Sequence, residues 1–481
     1  MMGVLLVGVL FVPLRNFTLD PDVWWHLKVG STILATHHWP HTDTYSFTAY
    51  GAPWIAYEWL GEILLAAVHH AAGLRGLMAL DLVLGGAIVL ALYGLATARS
   101  GNSKAAFVAC ALLLPLIYIP CTLRPQMLGY LFLVLTLIIL ERFRQGHART
   151  LWLLPPIFLA WVNTHGSFVL GLVAVAVYAG SGLVEIRAGG IVSRRWSASE
   201  RLHLEIAAAL ILVALILTPY GTEVCLYPFS MAFSQPINVG NIKEWQSMMF
   251  GEFFGKLFLV LLLGFILAQL ALRLTWRLEE VALFLIGVVA ACLHVRFVLL
   301  FVPFFAPMLA TILARWVPAY DPAQDKYPLN ALLMVLVASA AVWFFPTRAK
   351  LESVVETDFP VQAVRYLKLH PVSRPMYNTY GYGGYLIEQL DGENQVFVDG
   401  RADIYELTGV LADYLLISRL APATPALLDS YQVQSCLVNR EEALATLLTV
   451  SPAWRKVYSD KLSALFVRRN DSNQAASPSP K

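Results

Sequence analysis

Charge is scarce in this chain. Lys, Arg, Asp and Glu make up 14% of its 481 residues, against about 25% in an ordinary soluble domain. No basic tract interleaves with aromatic residues, which excludes nucleic acid as a partner. The five cysteines are an odd number without CxxC or Cys/His spacing, so neither a disulfide framework nor a zinc motif is present, and they read as small buried hydrophobes. What fills the space is apolar: 58% of residues and a mean hydropathy of +0.63. Repeated runs of about 17–25 apolar residues are what a bilayer requires.

Such runs fall at 2–14, 76–98, 105–122, 127–140, 151–162, 168–186, 204–219, 257–272, 280–293, 297–314 and 329–345. They predict a polytopic α-helical membrane protein of about eleven spans. The opening segment lacks the basic start and small-residue cleavage site of a signal peptide; it reads as a first span short enough to begin upstream. The stretch Glu58 to Ala72 is also apolar but carries Glu58, Glu62, His69 and His70. If it lies along the interface, thirteen Lys and Arg fall in the inner loops and seven in the longer outer ones, as the positive-inside rule asks. If it crosses, the Arg142–Arg149 and Arg187–Arg201 clusters land outside. The N-terminus is therefore expected in the cytoplasm and residues 347–481 outside.

Three outer segments follow. Residues 15–75 and 219–256 are long loops, and such loops usually have a task. Beyond 346 the chain turns richer in charge and turn residues, with β-like runs at Gln395–Val398, Cys436–Val438 and Ala464–Val467. This predicts a transmembrane domain over 1–346, a small extracytoplasmic α/β domain over 347–469 and a disordered tail over 470–481.

The unusual polar residues gather at outer helix ends. The first loop carries Asp20-Pro21-Asp22-Val23-Trp24-Trp25-His26 and, later, Tyr57-Glu58-Trp59-Leu60; further on come Leu123-Arg124-Pro125-Gln126, Asn163-Thr164-His165-Gly166, Tyr220-Gly221 and His294-Val295-Arg296-Phe297. Ionisable groups at this depth are costly in lipid and point to a protein-walled, hydrated cavity. Asp20 and Asp22 read either as a helix cap, as a shared site for a divalent cation, Mg or Mn, or as a base beside an acceptor hydroxyl. Trp24, Trp25, Trp54 and Trp59 suit an interfacial belt or stacking on a sugar or isoprenoid. Arg124 and Arg296 suit interfacial anchoring or phosphate recognition, while Glu58 and Glu62 share a helix face that solvent alone could explain.

These residues resemble the GT-C superfamily of glycosyltransferases. A short first span, a long acidic outer loop, a membrane-skimming helix, many spans and an outer C-terminal domain are similar to protein O-mannosyltransferases, lipid A aminoarabinose transferases and the oligosaccharyltransferase catalytic subunit. The motifs quoted are similar to a bacterial, poorly characterised branch of GT-C-like proteins. Where the superfamily has a second acidic motif, this chain has Arg124-Pro125-Gln126. The resemblance implies transfer of a sugar from a polyprenyl-phosphate donor to a glycan, lipid or protein acceptor in the cell envelope. Asp22, with Asp20 second and Glu58 beside them, would be catalytic. Trp24, Trp25, His26, Arg124, Gln126, Asn163, His165, Tyr220, His294 and Arg296 would hold substrate among membrane lipids. A transporter or flippase, or a non-catalytic GT-C-like scaffold, are the rival readings.

Overall fold

The computed structural model describes residues 1–15, 18–118, 122–321, 323, 326–390 and 395–469. The tail from Asn470 to Lys481 and Cys121 lie outside the described residues. Each of the eleven apolar runs contains helix within them, though the run 168–186 is helical only to Ser181 and the run 204–219 only to Ile216. By length and composition four helices can cross a membrane singly: Trp59–Ser100, Gln126–Arg144, Phe253–Leu272 and Val295–Leu313. Tyr327–Trp343 and Arg348–Asp358, bent by 59°, make a fifth if taken as one span. Other runs are cut short by their own sequence; residues 148–162 begin as a 3-10 turn before Pro155 and Pro156 start the helix Leu154–Val162.

The interfacial stretch and the span after it form one element. The helix Trp59–Ser100 is interrupted only at Gly73, whose φ of 58° and ψ of −149° lie where other residues are strained. The helix Val298–Leu313 is buried along nearly its whole length, with Phe301 and Phe305 stacked at 4.8 Å. By contrast Tyr327–Trp343 buries no side chain and Phe253–Leu272 only Gly255, Phe258 and Phe265. Apolar helices exposed in this way belong in lipid.

Chain direction separates the two ends of the bundle. The C-terminal ends of Trp59–Ser100 and Gln126–Arg144 meet the N-terminal end of the helix Leu278–Leu293 in three ion pairs. Arg99 Nη2 reaches Glu280 at 3.0 Å, Arg277 reaches Glu141 at 2.7 Å, and Arg144 reaches Glu279 at 3.1 Å. Strands β1 (Ile186–Ala188), β2 (Ile191–Ser193) and β3 (Trp276–Arg277) form a small sheet there. At the opposite ends lie Glu58, Gln126 and His294.

The C-terminal segment contains β4 (Met376–Asn378), β5 (Ser435–Asn439), β6 (Trp454–Ser459) and β7 (Ser463–Arg468), ordered β4-β5-β7-β6. Two expected β-like runs are thus strands. The third, Gln395–Val398, makes only a bridge between Val396 and Ser46. Its backbone is taken by the first loop and by the Asn378 side chain, which accepts from Phe397 N–H and donates to Val398 C=O.

This segment packs on the helix Asp22–Thr36. The glycine-rich stretch Tyr380 to Tyr385 allows the approach. A Cβ on Gly384 would stand 2.8 Å from the Pro21 carbonyl, and one on Gly383 2.1 Å from that of Val398. Trp24 then sits edge-on to Phe359 and Tyr385, at 5.5 and 5.0 Å. A second tie is the buried Arg401. It bonds Asp399 at 2.6 Å and Asp43 of the first loop at 2.7 Å, and lies 4.8 Å from the ring centre of Trp54.

Candidate active site

A cavity of about 550 Å³ opens at these helix ends, between the bundle, the two long loops and the C-terminal segment. This volume suits a small organic ligand. Ten residues expected from the sequence line it: Asp20, Asp22, Trp25, His26, Glu58, Arg124, Gln126, His165, His294 and Arg296. Three do not. Trp24 is turned into the contact with Phe359 and Tyr385. Asn163 accepts the Trp59 indole N–H at 2.8 Å and donates to the Leu159 and Leu217 carbonyls. Tyr220 donates to the Pro40 carbonyl at 2.9 Å and accepts from Ala56 N–H at 3.1 Å, pinning the first loop. Asn163 and Tyr220 spend their polar groups, and Trp24 its ring, on holding the wall.

Asp20 and Asp22 have separate tasks. Asp20 accepts the backbone N–H of Asp22 at 3.0 Å, as a residue at a helix start does, and is ion-paired with Arg124. Asp22 begins the helix and faces the cavity. Enclosure by protein pushes its carboxyl up to about 7; Arg124, whose Nη1 lies 3.5 Å from Asp22 Oδ2, opposes this, and Asp20 adds to it. A methyl on Gly400 would lie 1.7 Å from Asp22 Oδ1, so only glycine leaves the carboxylate its place.

The two arginines also differ. Arg124 is surrounded by Asp20, Asp22 and, at 3.0 Å, Glu244. Burial works against its charge, but these carboxylates outweigh it and hold the guanidinium protonated. Arg296 stacks on Trp245, 4.3 Å from the ring centre. Among the described residues no carboxylate lies within ion-pair distance of it, so its positive charge is uncompensated. Val169, Leu170, Met231, Val239, Ile242 and Leu300 add apolar wall to the cavity.

Glu58 stands between two histidines, 3.3 Å from His165 Nε2 and 3.6 Å from His26 Nε2. Burial raises its carboxyl to about 8, against the pull of Arg124. Burial lowers His165 to about 3 and His26 well below the usual imidazole range, so both rings are neutral near pH 7. Glu62, which solvent alone could have explained, is 1% exposed and bonds His26 Nδ1 at 3.1 Å.

The residues present do not fit a cation held by Asp20 and Asp22. Both carboxylates face Arg124, a cation already in place, and among the described residues no group of three His, Cys, Asp or Glu could hold a metal ion.

Sequence reasoning missed Glu244, Trp245, Tyr227 and Asp403, and singled out Tyr57 only as part of the Glu58 motif. Tyr57 and Tyr227 stack at 4.0 Å, and Tyr227 donates to Asp403 at 2.9 Å. The signal available was coarse: Tyr227, Glu244 and Trp245 belong to the second long loop, and Asp403 follows Val398-Asp399-Gly400-Arg401 by two residues.

No family model matches the chain, and no curated protein matches it in sequence. Solved structures do match. The oligosaccharyltransferase of Archaeoglobus fulgidus, tethered with an acceptor peptide containing the NVT sequon, shares 14% identity at a TM-score of 0.54, over 97% of this chain and 74% of that one. The arabinofuranosyltransferase AftD from Mycobacteria shares 13% identity at a TM-score of 0.54, over 98% of this chain; the match spans 42% of AftD. ArnT from Cupriavidus metallidurans, solved bound to undecaprenyl phosphate, shares 16% identity at a TM-score of 0.49, over 99% and 98% of the two chains. The fold is GT-C. Within this GT-C fold, the acidic opening of the first loop, the Arg124 turn and the His294-to-Arg296 turn are brought to one cavity across more than 270 residues of chain.

Proposed function

We propose that this chain is a glycosyltransferase that moves a sugar from a polyprenyl-phosphate donor to an acceptor hydroxyl on the extracytoplasmic face of the bacterial inner membrane. In this reading the N-terminus is cytoplasmic and residues 347–469 form an extracytoplasmic domain. One observation carries the reading. Asp22, a carboxyl poised near neutrality, shares a cavity with Arg296, an uncompensated guanidinium.

The chemistry follows from those two groups. Asp22 takes the proton of the acceptor hydroxyl, whose oxygen forms the new bond to the anomeric carbon. The bond from that carbon to phosphate oxygen breaks, and its electron pair leaves with the phosphate. Arg296 binds that growing charge, and the apolar wall suits the lipid. Arg124 supports Asp22 in its ionised form while Asp20 and Glu244 balance it.

Two outcomes separate this reading from its rivals. Purified protein incubated with membrane lipid extract is expected to retain a polyprenyl-phosphate sugar, read by mass spectrometry, and to release a glycosylated product. Substrate flux in proteoliposomes without such a product would establish a transporter instead.

Arg296→Ala is expected to weaken donor binding by about 10- to 100-fold, the worth of one charge-assisted contact. Titration of binding against the intact protein checks this. Gly400→Ala is expected to displace the Asp22 carboxylate and slow transfer by about 10²-fold. Its thermal unfolding should stay near that of the parent.

A further inference from the structure

Three arginines line the cavity, and they are not equally available to a ligand. Arg401 is buried and holds Asp399 and Asp43. Arg124 Nη2 is bonded to Asp20 and, at 3.0 Å, to Glu244, while Nη1 faces Asp22. Arg296 meets the ring of Trp245 and, among the described side chains, no carboxylate within ion-pair distance.

One turn of the second long loop sorts these guanidiniums. Glu244 and Trp245 are neighbours in the 3-10 turn Lys243–Trp245. Two backbone bonds fasten the loop just beyond it to the segment that carries Arg296. Val295 N–H donates to the Gln246 carbonyl at 2.9 Å, and Met248 N–H to the Cys292 carbonyl at 3.1 Å. With the turn held there, Glu244 reaches Arg124 and Trp245 lies against Arg296. Glu244 thereby adds a carboxylate to a guanidinium that already faces Asp20 and Asp22. A free guanidinium fork binds the oxygens of one phosphate. A second phosphate would lie toward Arg124, where carboxylates outnumber the cation and like charges repel.

We propose that Glu244 is a specificity-determining positioning residue: by holding Arg124 it leaves one guanidinium available, so that the site prefers a lipid bearing a single phosphate over the corresponding diphosphate. This rests on the function proposed above and narrows its donor class. A sugar joined to a lipid through one phosphate carries one negative charge at the link, and through a diphosphate two. Arg296 balances the first charge. The second has no free counter-ion among the described side chains of the cavity, and Glu244 and Asp20 repel it. Glu244 needs no contact with the lipid, because it acts through Arg124.

The test compares farnesyl phosphate with farnesyl diphosphate, which share one chain and differ by a phosphate. Each is titrated against the full chain in lipid nanodiscs, with binding to empty nanodiscs subtracted. The parent is expected to bind farnesyl phosphate tighter by about tenfold or more. Glu244→Gln keeps the shape without the charge, so the preference should shrink to about twofold or reverse, chiefly through tighter diphosphate binding. Glu244→Asp keeps the charge and should retain most of the preference. The Glu244 side chain is 36% exposed, so these substitutions open no core; if Glu244→Gln does not fold, Glu244→Ala removes the same charge and takes its place. A parent that binds the diphosphate equally or more tightly overturns the proposal, as does the parent's preference persisting once the charge is removed. In either case a phosphorylated lipid has bound, and the donor reading stands. Binding of neither lipid overturns that reading and the proposal with it.

Discussion

Asp22→Asn is expected to lower kcat for the proposed sugar transfer by about 10²- to 10⁴-fold, the range lost when a positioned general base is removed. The amide keeps the shape beside Gly400 and Arg124 but cannot accept the hydroxyl proton. A steady-state assay with donor at saturation checks it, and a variant at the parent rate would remove Asp22 from the mechanism. The parent's pH profile carries the same information. A base works when ionised, and burial has raised this carboxyl to about 7. The rate should therefore climb about tenfold per pH unit below that value and level off above it. An ordinary exposed Asp would leave the profile flat from about pH 5 upward. Asp20→Asn should behave differently. Asp20 holds the helix start and Arg124 and its charge adds to the rise of Asp22, so the expected effect is lower thermal stability with the pH midpoint moved down.

Arg401→Ala is expected to cost about 3–5 kcal/mol, the range for breaking a buried ion pair by removing one partner. Arg401 is 2% exposed and bridges Asp399 to Asp43, both fully buried. Its loss strands two carboxylates that water cannot reach. A domain is stable by only about 5–15 kcal/mol, so the first loop and the C-terminal segment should separate before the bundle melts. Limited proteolysis after Asp43 or Asp399, quick in the variant and slow in the parent, is the measurement. Arg401→Lys should recover part of the stability, since an ammonium restores charge but lacks the planar fork that spans both acids. Cleavage rates equal to the parent's in Arg401→Ala would mean that other contacts hold the two parts together.

How much of this was legible depends on the range of the interaction. Hydropathy located the apolar helices of the bundle among the described residues, because a helix satisfies its backbone from its own residues and its side chains face lipid or protein. Placing polar motifs at helix ends then brought Asp22, Glu58, Arg124, His165 and Arg296 to one side, since consecutive helices alternate direction. Pattern could not tell which of these groups keep a free valence. Trp24, Asn163 and Tyr220 look no different in sequence from Trp25, Gln126 and His165, yet their polar or aromatic groups are taken up by Tyr385, Trp59 and Pro40.

By itself, then, the sequence determined a helical membrane bundle with its reactive chemistry at one end. Only the tertiary structure decided how that chemistry is distributed. Arg124 looked like a phosphate ligand until Glu244, 120 residues away, appeared beside it with Asp20; Arg296 is the guanidinium without such a partner. Glu62 passed for a solvated residue until Gly30 brought the neighbouring helix onto its backbone. The physical reason is common to both. A side chain's charge and reach are local properties, but its burial and its partners are set by whichever distant segment packs against it, and no local period records that.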